Sequence, residues 1–218
     1  QTLNDFEFII ILDGKDLPNI PRDDRIVLLK NEKRMGLAYS LNKAIDLARG
    51  DFLARQDSDD ISASNRLEIQ YNCLVNNEDL DLVGSDTFFI DSSNNIIGRR
   101  YAPLIHKDLI AKKFSQIEVP HPTWMFKKEW IKKIGKYKNL MRGQDQYLLI
   151  TNSDRNKFYN ISKPLIYYRV KNISIKSLLI GRLSTIKANL KISIKSFLLS
   201  MIYHPIVFIF KDLNFLIF

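Results

Sequence analysis

Short continuous apolar runs alternate along this chain with stretches in which apolar residues recur every three or four positions. Phe8-Ile9-Ile10-Ile11-Leu12 is such a run, closed by Asp13-Gly14, and predicts a buried parallel strand that delivers an acid to its carboxyl end. Arg25 to Leu29 reads as the next strand. From Gly36 to Ala48 the apolar positions 37, 41, 44, 45 and 48 make a helical stripe, stopped by Gly50. Phe52 to Ala54 is a third strand, a second helix over 62–75 turns Leu67, Tyr71, Leu74 and Val75 inward, and Leu80 to Gly84 is a fourth strand. Thr87–Ile90 and Ile96–Tyr101 flank Asp91-Ser92-Ser93-Asn94-Asn95, a composition that predicts a hairpin turn. Further on come a short helix near 107–115, a strand over 121–126, a helix over 128–134 stopped by Gly135, a loop turning into a helix at Gly143, and two strands near 158–161 and 165–168. Strands alternating with helices indicate an α/β sheet domain.

Beyond Ser174 the pattern changes. Leu183, Ile186, Leu190, Ile194, Phe197 and Met201 recur at steps of three and four beside a stripe of Lys187, Lys191 and Lys195. Such a basic amphipathic helix either lies on an anionic membrane surface, which we expect, or packs its apolar face on the domain. His204-Pro205 is expected to break it, leaving an apolar tail to Phe218, and no run reaches the roughly 20 apolar residues of a spanning helix. The chain thus divides into an α/β domain, 1–172, and a helical appendage, 173–218.

Charge sharpens this division. Residues 1–100 hold 12 Lys/Arg against 18 Asp/Glu, and residues 101–218 hold 21 against 6. A basic half suits phosphates or anionic lipid, and nucleic acid is not expected, since no stacking platform or groove-reading motif accompanies it. The single cysteine, Cys73, reads as a core residue of a protein kept in a reducing compartment.

The candidate chemistry begins at Asp57-Ser58-Asp59-Asp60, after the third strand. Three carboxylates in four residues repel one another unless a cation or several donors compensate them. Either the cluster serves a hard divalent ion, Mg²⁺ or Mn²⁺, or it is a solvated turn capping the next helix. A calcium loop is excluded, because Ile61 and Ser62 stand where a ligand and a glycine belong.

The ordered motifs resemble glycosyltransferase family 2, inverting enzymes of the GT-A fold that use nucleotide sugars. They are residues 5–14, Asn31 with Gly36-Leu37-Ala38 and Asn42, residues 54–61 with Arg66-Leu67 and Gln70, His121-Pro122-Thr123, Ile134-Gly135-Lys136-Tyr137 and Gln144-Asp145-Gln146-Tyr147-Leu148. The resemblance, which covers residues 1 to about 172, implies a Rossmann-like GT-A domain with a mixed sheet flanked by helices. It implies that Asp13 accepts a hydrogen bond from the nucleotide base, that the loop of Arg34 and Gly36 lines that pocket, and that Ser58 contacts the ribose. Asp57 and Asp59 match the DXD metal signature and Asp145 the catalytic base, while His121, Trp124 and Gln144 are candidates to face the acceptor. Arg66 and Gln70 are expected to brace the acidic loop.

The implied function is metal-dependent transfer from a nucleotide-diphosphate sugar, UDP-linked by expectation, to a glycan or lipid-linked acceptor. The setting would be bacterial cell-surface polysaccharide synthesis at the cytoplasmic face of the inner membrane. A catalytically silent nucleotide-sugar or glycan-binding homologue is the alternative, since Leu12 and Gln144 depart from the family's acids. The family's first strand and first helix would precede Gln1, so the chain is expected to be N-terminally incomplete.

Overall fold

The computed structural model describes residues 1–14, 19–170 and 175–207. Strands β1 (Phe8–Leu12) and β2 (Ile26–Lys30) pair in parallel as a two-stranded sheet of their own. Helix α1 (Leu37–Leu47) follows, and then β3 (Phe52–Ala54), β4 (Ile61–Ser62) and α2 (Arg66–Val75). The long strand β5 (Leu82–Ile90), β6 (Ile96–Arg100) and α3 (His106–Ile110) come next. A 3₁₀ turn at His121–Thr123 leads to β7 (Met125–Lys127), α4 (Lys128–Lys133), α5 (Gln144–Asn152) and β8 (Phe158–Arg169). The chain then enters α6 (Ile175–Ile192) and α7 (Ile194–Val207).

The main sheet runs β3-β7-β5-β8-β4, with β6 added to β5. At its centre β5 pairs in parallel with β8 along its whole length, while its other edge is shared antiparallel by β7 at the start and β6 at the end. The sheet is therefore mixed and helix-flanked, as expected. Trp124, Phe126, Trp130 and Phe158 form edge-to-face pairs in the core, joined by Leu148, Leu149 and Ile150 of α5.

Where the strand pattern alternates, the sequence reading holds; where tertiary partners decide, it needs correction. Asp91 accepts hydrogen bonds from the backbone of Ser93 and Asn95, with Asn94 at φ 69°, so the hairpin turn is built as its composition predicts. The strand expected to be buried, β1, is largely half-exposed, with Phe8 43% accessible, because among the described strands it pairs only with β2. The separate strands expected at 80–84 and 87–90 are one, as are those at 158–161 and 165–168, where register shifts opposite Ser85–Thr87 absorb the irregularity. Helix α2 turns Arg66, Gln70 and Leu74 inward, leaving Tyr71 and Val75 exposed. The break expected at His204-Pro205 falls instead at Ser193.

Gly84, on β5, shows how tightly the sheet centre is closed. A Cβ there would lie 2.3 Å from Asn160 Oδ1 and 2.5 Å from Val119 Cγ1. Gly84→Ala should therefore cost about 2–3 kcal/mol by overpacking. A urea denaturation midpoint equal to that of the wild type would refute this closeness.

Candidate active site

The acidic loop lies just after β3, which is an edge strand held by β7. Its charge is compensated from within the protein. Arg55, buried, sends Nη1 and Nη2 to the two carboxylate oxygens of Asp57, at 2.8 and 2.5 Å. Arg169, at the end of β8, gives its backbone N–H to Asp60 Oδ1 at 2.8 Å and its Nε to the Asp59 carbonyl at 2.9 Å. Its guanidinium also reaches the Asp91 carbonyl and Asn94 Oδ1, tying the acidic loop to the β5–β6 turn.

Behind the loop Arg66 is wholly buried, and its donors go to Gln70 Oε1, Gln56 Oε1, Ser62 Oγ and the carbonyls of Arg55 and Trp124. Burial draws its pKa down to about 9. Gln70 in turn donates to the Thr123 carbonyl at 2.6 Å. These two side chains thus brace the acidic loop.

One demand is left unmet. Asp60 Oδ2 is buried with no hydrogen-bond partner, and burial, with the charges of Asp57 and Asp59, pushes this carboxyl up to about 6. An accumulation of carboxylates with an orphaned oxygen fits a divalent cation. Among the described residues no three His, Cys, Asp or Glu side chains form a group that could hold a metal ion by themselves.

Asp145, half-buried, stands in the first turn of α5, just after Gly143 in the left-handed conformation at φ 72°. Burial pushes its carboxyl above the usual range; the Arg55 guanidinium opposes the rise and Asp57 adds to it. His121 Nε2 lies 2.9 Å from the Tyr137 hydroxyl, and burial, with Arg55 nearby, keeps the imidazole neutral by lowering its pKa well below the ordinary value. Trp124 is a correction. It is fully buried, its indole N–H bonded to the Val119 carbonyl at 3.0 Å, so it supports His121 from beneath and offers no face to an acceptor. Gln144 is likewise buried, while Ser58 is exposed at the tip of the loop.

Asp13, Arg34 and Gly36 make a second cluster at the end of β1. The Asp13 carboxylate accepts from Met35 N at 2.7 Å, Gly36 N at 2.8 Å and Asn31 Nδ2 at 2.9 Å. Burial works to raise its pKa, but these bonds outweigh it and hold the acid below its ordinary value. At the other end of β1, Glu7 Oε1 accepts from Arg49 N and Gly50 N, beyond the far end of α1. Asn42 of α1 exchanges two hydrogen bonds with the backbone of Tyr137, linking this cluster to the segment that precedes Asp145.

Four residues of the site carried no assigned role in the sequence. Arg55 had a signal, a cation two residues before Asp57. Tyr137 lay inside a recognised motif. Tyr168 and Arg169 come more than a hundred residues after the acids, and only the pairing of β8 with β4 and β5 brings them there. Burial, with the charges of Asp60, Asp57 and Asp59, raises the Tyr168 phenol pKa, so the phenol feels the same acids.

The chain as a whole has counterparts among known proteins. The Glycosyl transferase family 2 profile matches residues 1–135. The chain belongs to glycosyl transferase family 2. Within that family it is 36% identical over 183 residues to the uncharacterized glycosyltransferase MJ1057 of Methanocaldococcus jannaschii, an alignment covering 79% of this chain and 63% of that protein. It is 34% identical over 185 residues to the O-antigen biosynthesis glycosyltransferase WbnJ of Escherichia coli, covering 80% of this chain and 72% of the relative. Staphylococcus aureus TarS 1-349, solved in complex with UDP-GlcNAc, shares the fold with a TM-score of 0.59 at 15% identity, over 85% of this chain and 58% of that one. The fold of this family 2 member is accordingly the GT-A fold.

Proposed function

We propose that this chain carries the catalytic domain of a metal-dependent, inverting glycosyltransferase. It moves a sugar from a nucleotide diphosphate, UDP by preference, to a hydroxyl of a glycan or lipid-linked acceptor in cell-surface polysaccharide synthesis. The observation that carries this reading is the buried grip of Arg55 on Asp57 in the acidic loop, with Asp145, at the start of α5, near enough to feel the charges of both. One acid is thereby set apart from the others, as a single displacement needs.

Asp59 and Asp57 are the residues to hold Mg²⁺ or Mn²⁺, and the ion supplies charge neutralisation to the diphosphate as leaving group. Asp145 takes the proton of the acceptor hydroxyl while the new C–O bond forms at the anomeric carbon and the bond to the diphosphate breaks, its electron pair leaving with the phosphate. Arg55 holds the Asp57 carboxylate flat against its fork and limits the rise of the Asp145 pKa. The brace of Asp13 on Met35 and Gly36 shapes the wall offered to the nucleotide, with Arg34 exposed on the same loop. The acceptor side is bounded by His121, neutral and bonded to Tyr137. Contact with the cytoplasmic face of the inner membrane runs through residues 174–218, of which 175–207 are described.

Calorimetric titration of UDP, with Mn²⁺ and with chelator, tests the donor side. Binding in Mn²⁺ should weaken at least about tenfold with chelator and equally in Asp59→Ala. Metal-independent binding, unchanged by the substitution, would remove the metal from the proposal. The full bidentate hold of Arg55 on Asp57 favours a second reading, a silent homologue that binds a nucleotide sugar without turning it over. Transfer by the wild type that is lost in Asp145→Asn would exclude it.

A further inference from the structure

Helices α6 and α7 invert the usual arrangement of an amphipathic helix on a protein. The face of α6 that packs on the domain carries Ser184, Thr185, Ala188 and Asn189, all buried. Ser184 Oγ donates to the Arg142 carbonyl at 2.6 Å and Asn189 Nδ2 to the Phe114 carbonyl at 3.1 Å. On the opposite side Leu179, Leu183 and Leu190, four and seven positions apart, form one stripe, and Leu183 is 56% exposed. The stripe continues through Ile194 at the joint, 72% exposed, and Leu198 and Ile202 of α7, while Ser200 and His204 of that helix are buried. The sequence pattern left open which way the apolar side would turn; it turns outward.

The charge of the hairpin tells what that side meets. Residues 175–207 contain Lys176, Arg182, Lys187, Lys191 and Lys195 and no Asp or Glu. Lys176 and Lys187, both exposed, run along one edge of the leucine stripe. An apolar ridge edged only by cations complements an anionic lipid surface, where leucines enter the acyl boundary and lysines meet phosphates. No described helix is long and apolar enough to cross a membrane, so the hairpin would lie along the surface.

The same hairpin is seated on the helix that carries the base. A Cβ on Gly143 would come within 2.9 Å of Ser184 Cβ and 3.2 Å of the Gly181 carbonyl, so α6 abuts the start of α5. Lys191 Nζ also lies 5.8 Å from the centre of the Tyr147 ring, one turn into α5.

We infer that the outward face of α6–α7 is an interfacial plate for anionic phospholipid, and that its rigid seat on α5 sets the height of Asp145 above the headgroups. The second clause rests on the transferase reading; lipid binding does not. It follows that an acceptor carried by the membrane would be presented to Asp145 at a fixed depth, whereas a free acceptor would gain nothing from the plate.

Flotation with vesicles of roughly 30% phosphatidylglycerol in phosphatidylcholine, beside pure phosphatidylcholine, tests the plate. The protein should float with the anionic vesicles and be released by high salt. Leu183→Glu with Leu190→Glu should weaken binding at least about tenfold, and Lys187→Gln with Lys195→Gln about fivefold or more. All four positions are exposed, so circular dichroism melts should match the wild type; UDP calorimetry on the same proteins reports the donor site separately. Absence of flotation, or flotation unaffected by the leucine pair, overturns the inference. So does dependence on residues 208–218 alone. Concentration-dependent dimers dissociated by the leucine pair, without vesicle binding, would assign the face to a second copy of the chain and overturn it too.

Discussion

Asp145→Asn should lower sugar transfer by about 10²–10⁴-fold while leaving UDP affinity in Mn²⁺ within about twofold of the wild type. The amide keeps the size of the carboxylate and removes its ability to take the acceptor proton. The base must be ionised to act, and burial raises its pKa, so activity in the wild type should fall as pH drops through a value above the ordinary carboxylate range. His121, held neutral by burial, contributes no titration to that limb. A variant that retains transfer within a few-fold, or a wild-type acid limb at or below the ordinary range for Asp, would take the base role from Asp145.

The largest loss of stability is expected at Arg66→Met, about 3–4 kcal/mol. A buried guanidinium is costly by itself, and replacing such a charge by an apolar side chain is often neutral where its partners leave with it. Here they stay. Gln70 Oε1, 2.8 Å from Nε, and the Arg55 carbonyl, 2.7 Å from Nη2, would lose these donors in a site closed to water. The melting temperature should drop by about 10 °C, given the usual scaling for a chain of this size. The variant should also loosen the backbone at Arg55 and so the grip on Asp57, weakening metal-dependent UDP binding in step. An unchanged melting temperature would mean that water replaces the guanidinium.

What the sequence revealed of this fold was what short-range chemistry decides. Gly36, at φ 92°, opens α1 where the chain must turn, whereas the stop expected at Gly50 falls earlier, with Ala48 as the C-cap; Asp91 makes its own turn with the residues just after it. The acids of the site were legible for the same reason: three carboxylates in four residues are costly anywhere. The inward face of α2 was not, because Arg66 and Gln70 are polar and are accepted in the core only through carbonyls and amides up to 58 residues away. Arg169 was missed because its bond to Asp60 spans 109 residues and exists only through the register of β8. The periodicity of α6 was correct and its apolar side still ambiguous, since a helix with two usable faces does not say which one the domain takes. Small polar side chains answered that question, through the close approach they allow beside Gly143.

The two carboxylates at the ends of β1 turn it into a gauge for α1. From Glu7 to Asp13 an extended chain covers about 20 Å, and from Met35 to Gly50 a mostly helical one covers about 22 Å. The lengths match closely enough for Glu7 to receive Arg49 and Gly50 while Asp13 receives Met35 and Gly36. Losing or gaining one residue within α1 would turn everything beyond it by about 100° and unfasten one end. It would also carry Asn42 off the Tyr137 backbone if the change fell before it. Length variation in this half of the molecule therefore belongs in the connection between β1 and β2, where neither clasp measures it.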